Sequence, residues 1–125
     1  MRPKSPTLTA HELEMMKIVW QHDAPVTVRD VYEALRARRT IAYTTVMTSM
    51  KTLEQKGYLK ATQHERAYLY RPAKPRQQVI KAMVREFVDR VFNGSAQPLV
   101  THLIEDDRLS EADLLEITRM MGKRR

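Results

Sequence analysis

The chain has 125 residues, with 22 Lys and Arg against 15 Asp and Glu, and no cysteine. That length fits one domain or a small domain with an appendage, and the missing thiols exclude both a disulfide framework and a thiolate metal site. No apolar run approaches the roughly 20 residues that cross a bilayer, so a cytoplasmic protein without a membrane partner is expected.

Met1-Arg2-Pro3-Lys4-Ser5-Pro6 lacks the apolar centre of a signal peptide and reads as a short disordered lead-in. Thr9-Ala10-His11-Glu12 is a capping box that opens a first helix, with Leu13, Met16, Val19 and Trp20 on its apolar face. Ala24-Pro25 breaks the pattern. Thr27-Val28-Arg29-Asp30 repeats the capping logic for a second helix, with Val31, Ala34 and Leu35 inward. The basic run Arg36-Ala37-Arg38-Arg39 then leads to a third helix over Tyr43–Lys56. There Val46, Met50 and Leu53 recur at helical spacing. The opposite side carries Thr44, Thr45, Thr48, Lys51 and Gln55. Gly57 ends this helix at the position where a positive φ is needed. Tyr58–Thr62 and Ala67–Arg71 are expected to pair as strands across Gln63-His64-Glu65-Arg66.

Two prolines in Arg71-Pro72-Ala73-Lys74-Pro75 cannot sit inside a helix or a central strand. They mark a boundary between residues 1–74 and 75–125. A long fourth helix follows, from Pro75 to Phe92, with a wide apolar stripe that includes Val79 and Val88. Asn93-Gly94-Ser95 stops it. Gln97–Ile104 reads as a short helix, and Glu105-Asp106-Asp107-Arg108 as an acidic break. Ser110-Glu111-Ala112-Asp113 caps a last helix bearing Leu114, Leu115, Ile117, Met120 and Met121, which Gly122 and a basic tail close. The expected fold is mainly α with a small β-wing: an N-terminal winged helix-turn-helix domain and a C-terminal helical dimerisation arm.

Residues 1–76 carry 14 Lys and Arg against 7 Asp and Glu, whereas residues 77–125 carry 8 of each. A basic excess confined to one module points to a polyanion such as double-stranded DNA. The bland alternative is a solubilising surface. In a helix-turn-helix the second helix brings its N-terminal residues near base edges. Here these are Tyr43, Thr44, Thr45, Met47 and Thr48. Threonine hydroxyls donate or accept and their methyls contact thymine. For Thr44 and Thr45 a helix cap or a phosphate contact is the competing role. Lys51 and the wing-tip Arg66 are candidate phosphate contacts, and Arg36, Arg38 and Arg39 candidate backbone contacts, with plain solvated charge as the alternative.

The C-terminal helices offer more apolar surface than a lone three-helix arm hides. Ile80, Met83, Val84, Phe87, Val91, Phe92, Leu99, Leu103, Leu114 and Ile117 are therefore candidate dimer contacts with a second copy. The alternative folds these helices back onto the N-terminal module. Catalysis is not expected. His11-Glu12 begins like a zinc-protease helix, but Met15 stands where the second histidine belongs. There is no Gly-rich phosphate loop and Gly occurs only 3 times, leaving few tight active-site turns. His102 with Glu105 and Asp106 is read as solvated loop, so neither metal nor cofactor is expected.

From Ile41 to Leu53, with Gln55-Lys56-Gly57-Tyr58 after it, the chain resembles the penicillinase-repressor family (BlaI, MecI, CopY). Leu8-Thr9…Glu12-Leu13-Glu14…Ile18-Val19-Trp20 is similar to that family's first helix and Ala67-Tyr68-Leu69-Tyr70 to its wing. Phe87…Val91-Phe92-Asn93-Gly94, Leu99-Val100 and Leu109-Ser110-Glu111…Leu114 resemble its arm. The resemblance implies a homodimeric, sequence-specific transcriptional repressor on a palindromic operator. It also implies, in the β-lactam branch, a sensor protease that cuts the arm between Asn and Phe. The matching pair here is His102-Leu103, a departure from those residues. The copper-responsive branch senses through cysteines near the C-terminus, and this chain has none. The rival reading is a winged-helix protein-interaction module without sequence-specific DNA binding.

Overall fold

A computed structural model describes residues 7–124; the expected N-terminal lead-in lies outside the described residues. The chain divides into two compact units, Met1–Met83 and Val84–Arg125. The elements of the first unit are α1 (Ala10–Gln21), α2 (Val28–Arg36), α3 (Tyr43–Gln55), β1 (Leu59–His64) and β2 (Ala67–Pro72). Helix α4 (Arg76–Phe92) begins in the first unit and ends in the second, where α5 (Ala96–Glu105) and α6 (Glu111–Lys123) follow. The expected mainly helical fold with a small β-wing is what the chain adopts.

Local chemistry explains where the helices start. The Thr9 hydroxyl accepts the Glu12 amide at 3.1 Å, and the Glu12 carboxylate accepts the Thr9 amide at 2.9 Å. Thr27 with Asp30, and Ser110 with Asp113, make the same reciprocal pair. Each satisfies two amides that a helix start otherwise leaves without partners. The end of α3 is equally local. Gly57 takes φ 88°, and the amides of Gly57 and Tyr58 reach back to the carbonyls of Glu54 and Leu53 at 3.0 and 2.9 Å. This is the paired-hydrogen-bond stop that glycine permits. Gly122 does not play that part: α6 runs through it to Lys123.

The core of the first unit gathers Met15, Met16, Ile18 and Val19 from α1, Val31 and Leu35 from α2, and Val46, Met50 and Leu53 from α3. Leu8, Val26, Tyr58, Leu59, Tyr70 and Val79 complete it. Burying a side chain such as Met50 or Leu53 stabilises by about 1.5–3 kcal/mol. The core takes Met15 and Ile18 of α1, which the expected face left out, while Leu13 and Trp20 are only partly buried. The reason is that α1 packs against α2, α3 and β2 together, so it needs a wider apolar face than a surface helix.

The hairpin is longer than expected. β1 and β2 pair antiparallel from Leu59↔Pro72 to His64↔Ala67, leaving only Glu65-Arg66 as the loop. Glu65 takes φ 57°, the left-handed conformation that a two-residue loop demands at its first position. Val26 adds a one-residue bridge to Tyr70, exchanging hydrogen bonds of 2.8 and 2.7 Å. It gives the wing a third contact that no run of strand-forming residues announces.

The expected proline boundary marks the start of α4, whereas the compact units divide about two helical turns later. Val79 is buried in the first unit's core. Met83, read from the sequence as a dimer contact, packs against that core one turn on, because α4 keeps the same face toward it. In the second unit, α5 and α6 bury no side chain. Phe87 and Phe92 meet edge to face at 5.8 Å, and His102 lies 6.0 Å from Phe92. Among the described residues no helix is long and apolar enough to cross a membrane.

Candidate nucleic-acid interface

Helix α3 is anchored by Val46, Met50 and Leu53, all fully buried. Their spacing commits one face to the core and turns Tyr43, Met47, Thr48 and Lys51 outward. These four residues form one wall of a cleft of about 820 Å³. Thr27, Val28 and Arg29 at the start of α2 form a second wall, and Arg66, Ala67 and Tyr68 of the wing a third. No carboxylate lines it among the described residues, and three cations do: Arg29, Lys51 and Arg66. Lys51 and Arg66 make the cleft basic, while Arg29 is also paired with Glu33 at 3.4 Å. The buried Tyr70 also lines it, its phenol raised by burial first and by nearby Glu54 and Tyr68, so it stays neutral.

Tyr43 is held on two sides. Its ring meets the edge of Tyr32 at 5.3 Å, and the Arg29 guanidinium lies 5.6 Å from its centre. Such ring pairs and cation–π contacts restrict an exposed tyrosine to one orientation. Thr44 and Thr45 stand exposed on the first turn of α3 and do not line the cleft. Neither caps the helix: its N-cap is Ala42, with no side-chain hydrogen bond. The capping role weighed for these two threonines is thus not the one they play.

The basic run after α2 is not brought into the cleft. The Arg39 guanidinium turns onto α1, where it donates to the Glu14 carboxylate at 2.8 Å and sits 3.0 Å from Nδ1 of His11. Because Arg39 can only donate, Nδ1 of His11 must accept, which leaves the proton on Nε2 to be donated to Ser49 Oγ at 2.9 Å. This chain of contacts ties the loop before α3, and α3 itself, to α1. Arg39, expected at the DNA backbone, is thus paired with Glu14 and lies outside the cleft. The physical reason is a carboxylate within reach on the neighbouring helix, which a distant sequence position does not reveal. Arg38 is exposed at the end of α2 and lies outside the cleft.

Several lining residues were not expected as DNA contacts, among them the cation Arg29 and the exposed ring of Tyr68. Tyr68 had a signal: strand alternation puts it on the same face as Tyr70. Tyr70 is buried, and Tyr68 is 54% exposed over the cleft. Arg29 had none, because its place beside Tyr43 depends on how α2 crosses α3.

A second surface lies in the arm. Val84, Phe87, Val91, Leu114 and Ile117 are exposed, as are Val100 and Ile104, while Phe92, Leu99 and Leu103 are half-buried. Ile80 is half-buried on α4. His102 is exposed, and the His102-Leu103 bond lies inside α5.

The penicillinase-repressor family model matches residues 8–123. Over 105 residues the chain is 37% identical to the transcriptional regulator BlaI of Mycobacterium tuberculosis, across 83% of this chain and 76% of that protein. It is 27% identical over 118 residues to the penicillinase repressor of Bacillus licheniformis, across 94% and 91% of the two chains. The solved DNA-binding domain of the repressor BlaI matches 60% of this chain and 90% of its own, with a TM-score of 0.52 and 28% identity. The monomeric form of Bacillus licheniformis BlaI, solved in complex with the blaP half-operator, matches 59% and 89%, with a TM-score of 0.50 and 28% identity.

Proposed function

Because the chain belongs to the penicillinase-repressor family, we propose that it is a DNA-binding transcriptional repressor that acts as a homodimer on a palindromic operator. The observation that carries this reading is the acid-free cleft in which α3, the start of α2 and the wing converge. α3 enters the major groove, and Thr48 and Met47 meet base edges there. Tyr43, braced by Arg29 and Tyr32, stands at the entrance. Lys51 and Arg66 neutralise phosphates, which sets register and affinity without choosing sequence. Thr44 and Thr45, exposed on the first turn, face the backbone at the groove's edge. A repressor of this kind works in the cytoplasm, where its operator is.

The apolar arm supplies the second copy. An exposed row that includes Val84, Phe87 and Val91 on α4, with Leu114 and Ile117 on α6, is the kind of surface that seeks a partner. Residues 77–125 carry no net charge, so two copies approach without repulsion. Induction by a sensor protease belongs to the same proposal. A cut at His102-Leu103 detaches α6 and the end of α5 from the arm, but α5 must first unwind, since cleavage favours exposed, irregular backbone.

The test is selection of bound sequences from random duplex DNA with the full-length protein. An inverted repeat with half-sites about one helical turn apart, or a multiple, is expected. No enrichment by folded, dimeric protein overturns the proposal in favour of a protein-interaction module. On the selected duplex, Thr48→Ala is expected to cost about 1–3 kcal/mol and to relax preference at one base pair. An unchanged sequence preference removes Thr48 from the base-reading set. Lys51→Ala and Arg66→Ala are expected to weaken binding to all duplexes alike and to lower the salt slope by about one each. Titrations at several salt concentrations check this.

A further inference from the structure

Met47 keeps 46% of its surface exposed in the cleft wall, beside Tyr43 and Thr48. The other methionines placed in the first unit are shielded: Met15, Met16 and Met50 are fully buried, and Met83 packs on the core. The chain has no cysteine, so no thiol intercepts an oxidant first. We propose that Met47 is an oxidation site through which a hydroperoxide weakens DNA binding. The inference rests on the DNA-binding reading above.

The chemistry needs only the exposed thioether and the peroxide. A sulfur lone pair attacks one peroxide oxygen, the O–O bond breaks, and an S–O bond forms. The proton on the transferred oxygen passes to the departing oxygen, which leaves as water from hydrogen peroxide or as the alcohol from an organic hydroperoxide. Sulfur loses two electrons and the peroxide gains them. A flexible apolar side chain becomes a polar one with a strong acceptor oxygen and no donor. Against a thymine methyl, or an acceptor atom of guanine or thymine, that oxygen has no donor to meet and repels; adenine N6 and cytosine N4 are the only base-edge donors in the groove. Bound DNA also covers Met47, so the free repressor is oxidised and the operator-bound one is protected.

Met120 and Met121 of α6, 58% and 64% exposed, are the competing sites that a test must separate. Full-length protein is treated with hydrogen peroxide, and Met47 oxidation is followed by peptide mass mapping. Affinity for a fluorescent duplex recovered by selection is read by anisotropy. M47L and the M120L/M121L double variant are each compared with their own untreated samples. Oxidised wild type is expected to bind about tenfold more weakly, the scale of one lost base contact. The M120L/M121L protein loses the same factor, M47L keeps its untreated affinity, and methionine sulfoxide reductases restore the wild type. Saturating duplex slows oxidation at Met47. The inference is overturned if Met47 stays reduced, if its sulfoxide leaves affinity unchanged, or if M47L loses as much as wild type. Untreated protein that binds no duplex overturns the DNA-binding reading and this inference with it; untreated binding that survives Met47 oxidation removes this inference alone.

Discussion

Lys56→Met is expected to destabilise the first unit by about 3–5 kcal/mol at neutral pH, because it leaves a buried carboxylate without its counter-charge. Lys56 caps the end of α3, and its ammonium donates to Glu12 Oε1 at 2.8 Å and to the Thr7 carbonyl at 3.3 Å. The two side chains are only 9% and 8% exposed. Glu12 has a double role, since the same oxygen accepts the Thr9 amide at the start of α1. The pair thus joins the beginning of α1 to the end of the helix that faces the cleft. Burial by itself would raise the Glu12 carboxyl. The Lys56 hydrogen bond, the Thr9 amide and the Lys56 charge outweigh it and hold the group below its ordinary value of 4.5.

The sign of the pH dependence follows from that lowering. A carboxyl depressed in the folded state adds stability above its unfolded value, and that stability is lost as pH falls through the folded value. Wild type should therefore weaken below about pH 4.5 through this group. In Lys56→Met burial opposes only the Thr9 hydrogen bonds on Glu12, so protonation costs the variant less than it costs wild type, and the gap narrows in acid. Urea melts at neutral and acidic pH read both effects. A gap that is small at neutral pH, or that widens in acid, would mean the pair contributes little. Adding Glu12→Gln to Lys56→Met removes the stranded charge and should regain most of the loss, since Gln still accepts the Thr9 amide.

Phe87→Asp is expected to split the dimer and to weaken operator binding about 10²–10⁴-fold, the gain that linking two heads supplies without any new contact. Phe87 is 40% exposed on α4 and touches Phe92 of its own chain. A carboxylate there costs little in a lone chain and a great deal in an apolar interface. Sedimentation gives the oligomeric state, circular dichroism reports whether α4 survives, and titration on the selected duplex gives the affinity. A variant that stays dimeric places the interface elsewhere on the arm. A stable monomer that binds as tightly as wild type defeats the dimeric reading of the operator.

Most of the fold was legible in the chain because its signals are local. Thr9 with Glu12, Thr27 with Asp30 and Ser110 with Asp113 act within one turn, so the three helix starts stand where the residues say. Gly57 and the Val46, Met50, Leu53 spacing likewise determined the end of α3 and which of its faces is buried. That burial left Tyr43, Met47, Thr48 and Lys51 facing outward together. The local signals end at contacts between distant segments. Lys56 meets Glu12 across 44 positions and Arg39 meets Glu14 across 25, and no periodicity announces either pairing. The fold alone decided that Arg39 belongs to α1 while Arg29 and Tyr68 line the cleft. It also packed Met83 against the core of the first unit, although it sits in the same apolar stripe as Phe87. Sequence spacing decides which side of a helix is apolar; only the packing of the helices decides what that side meets.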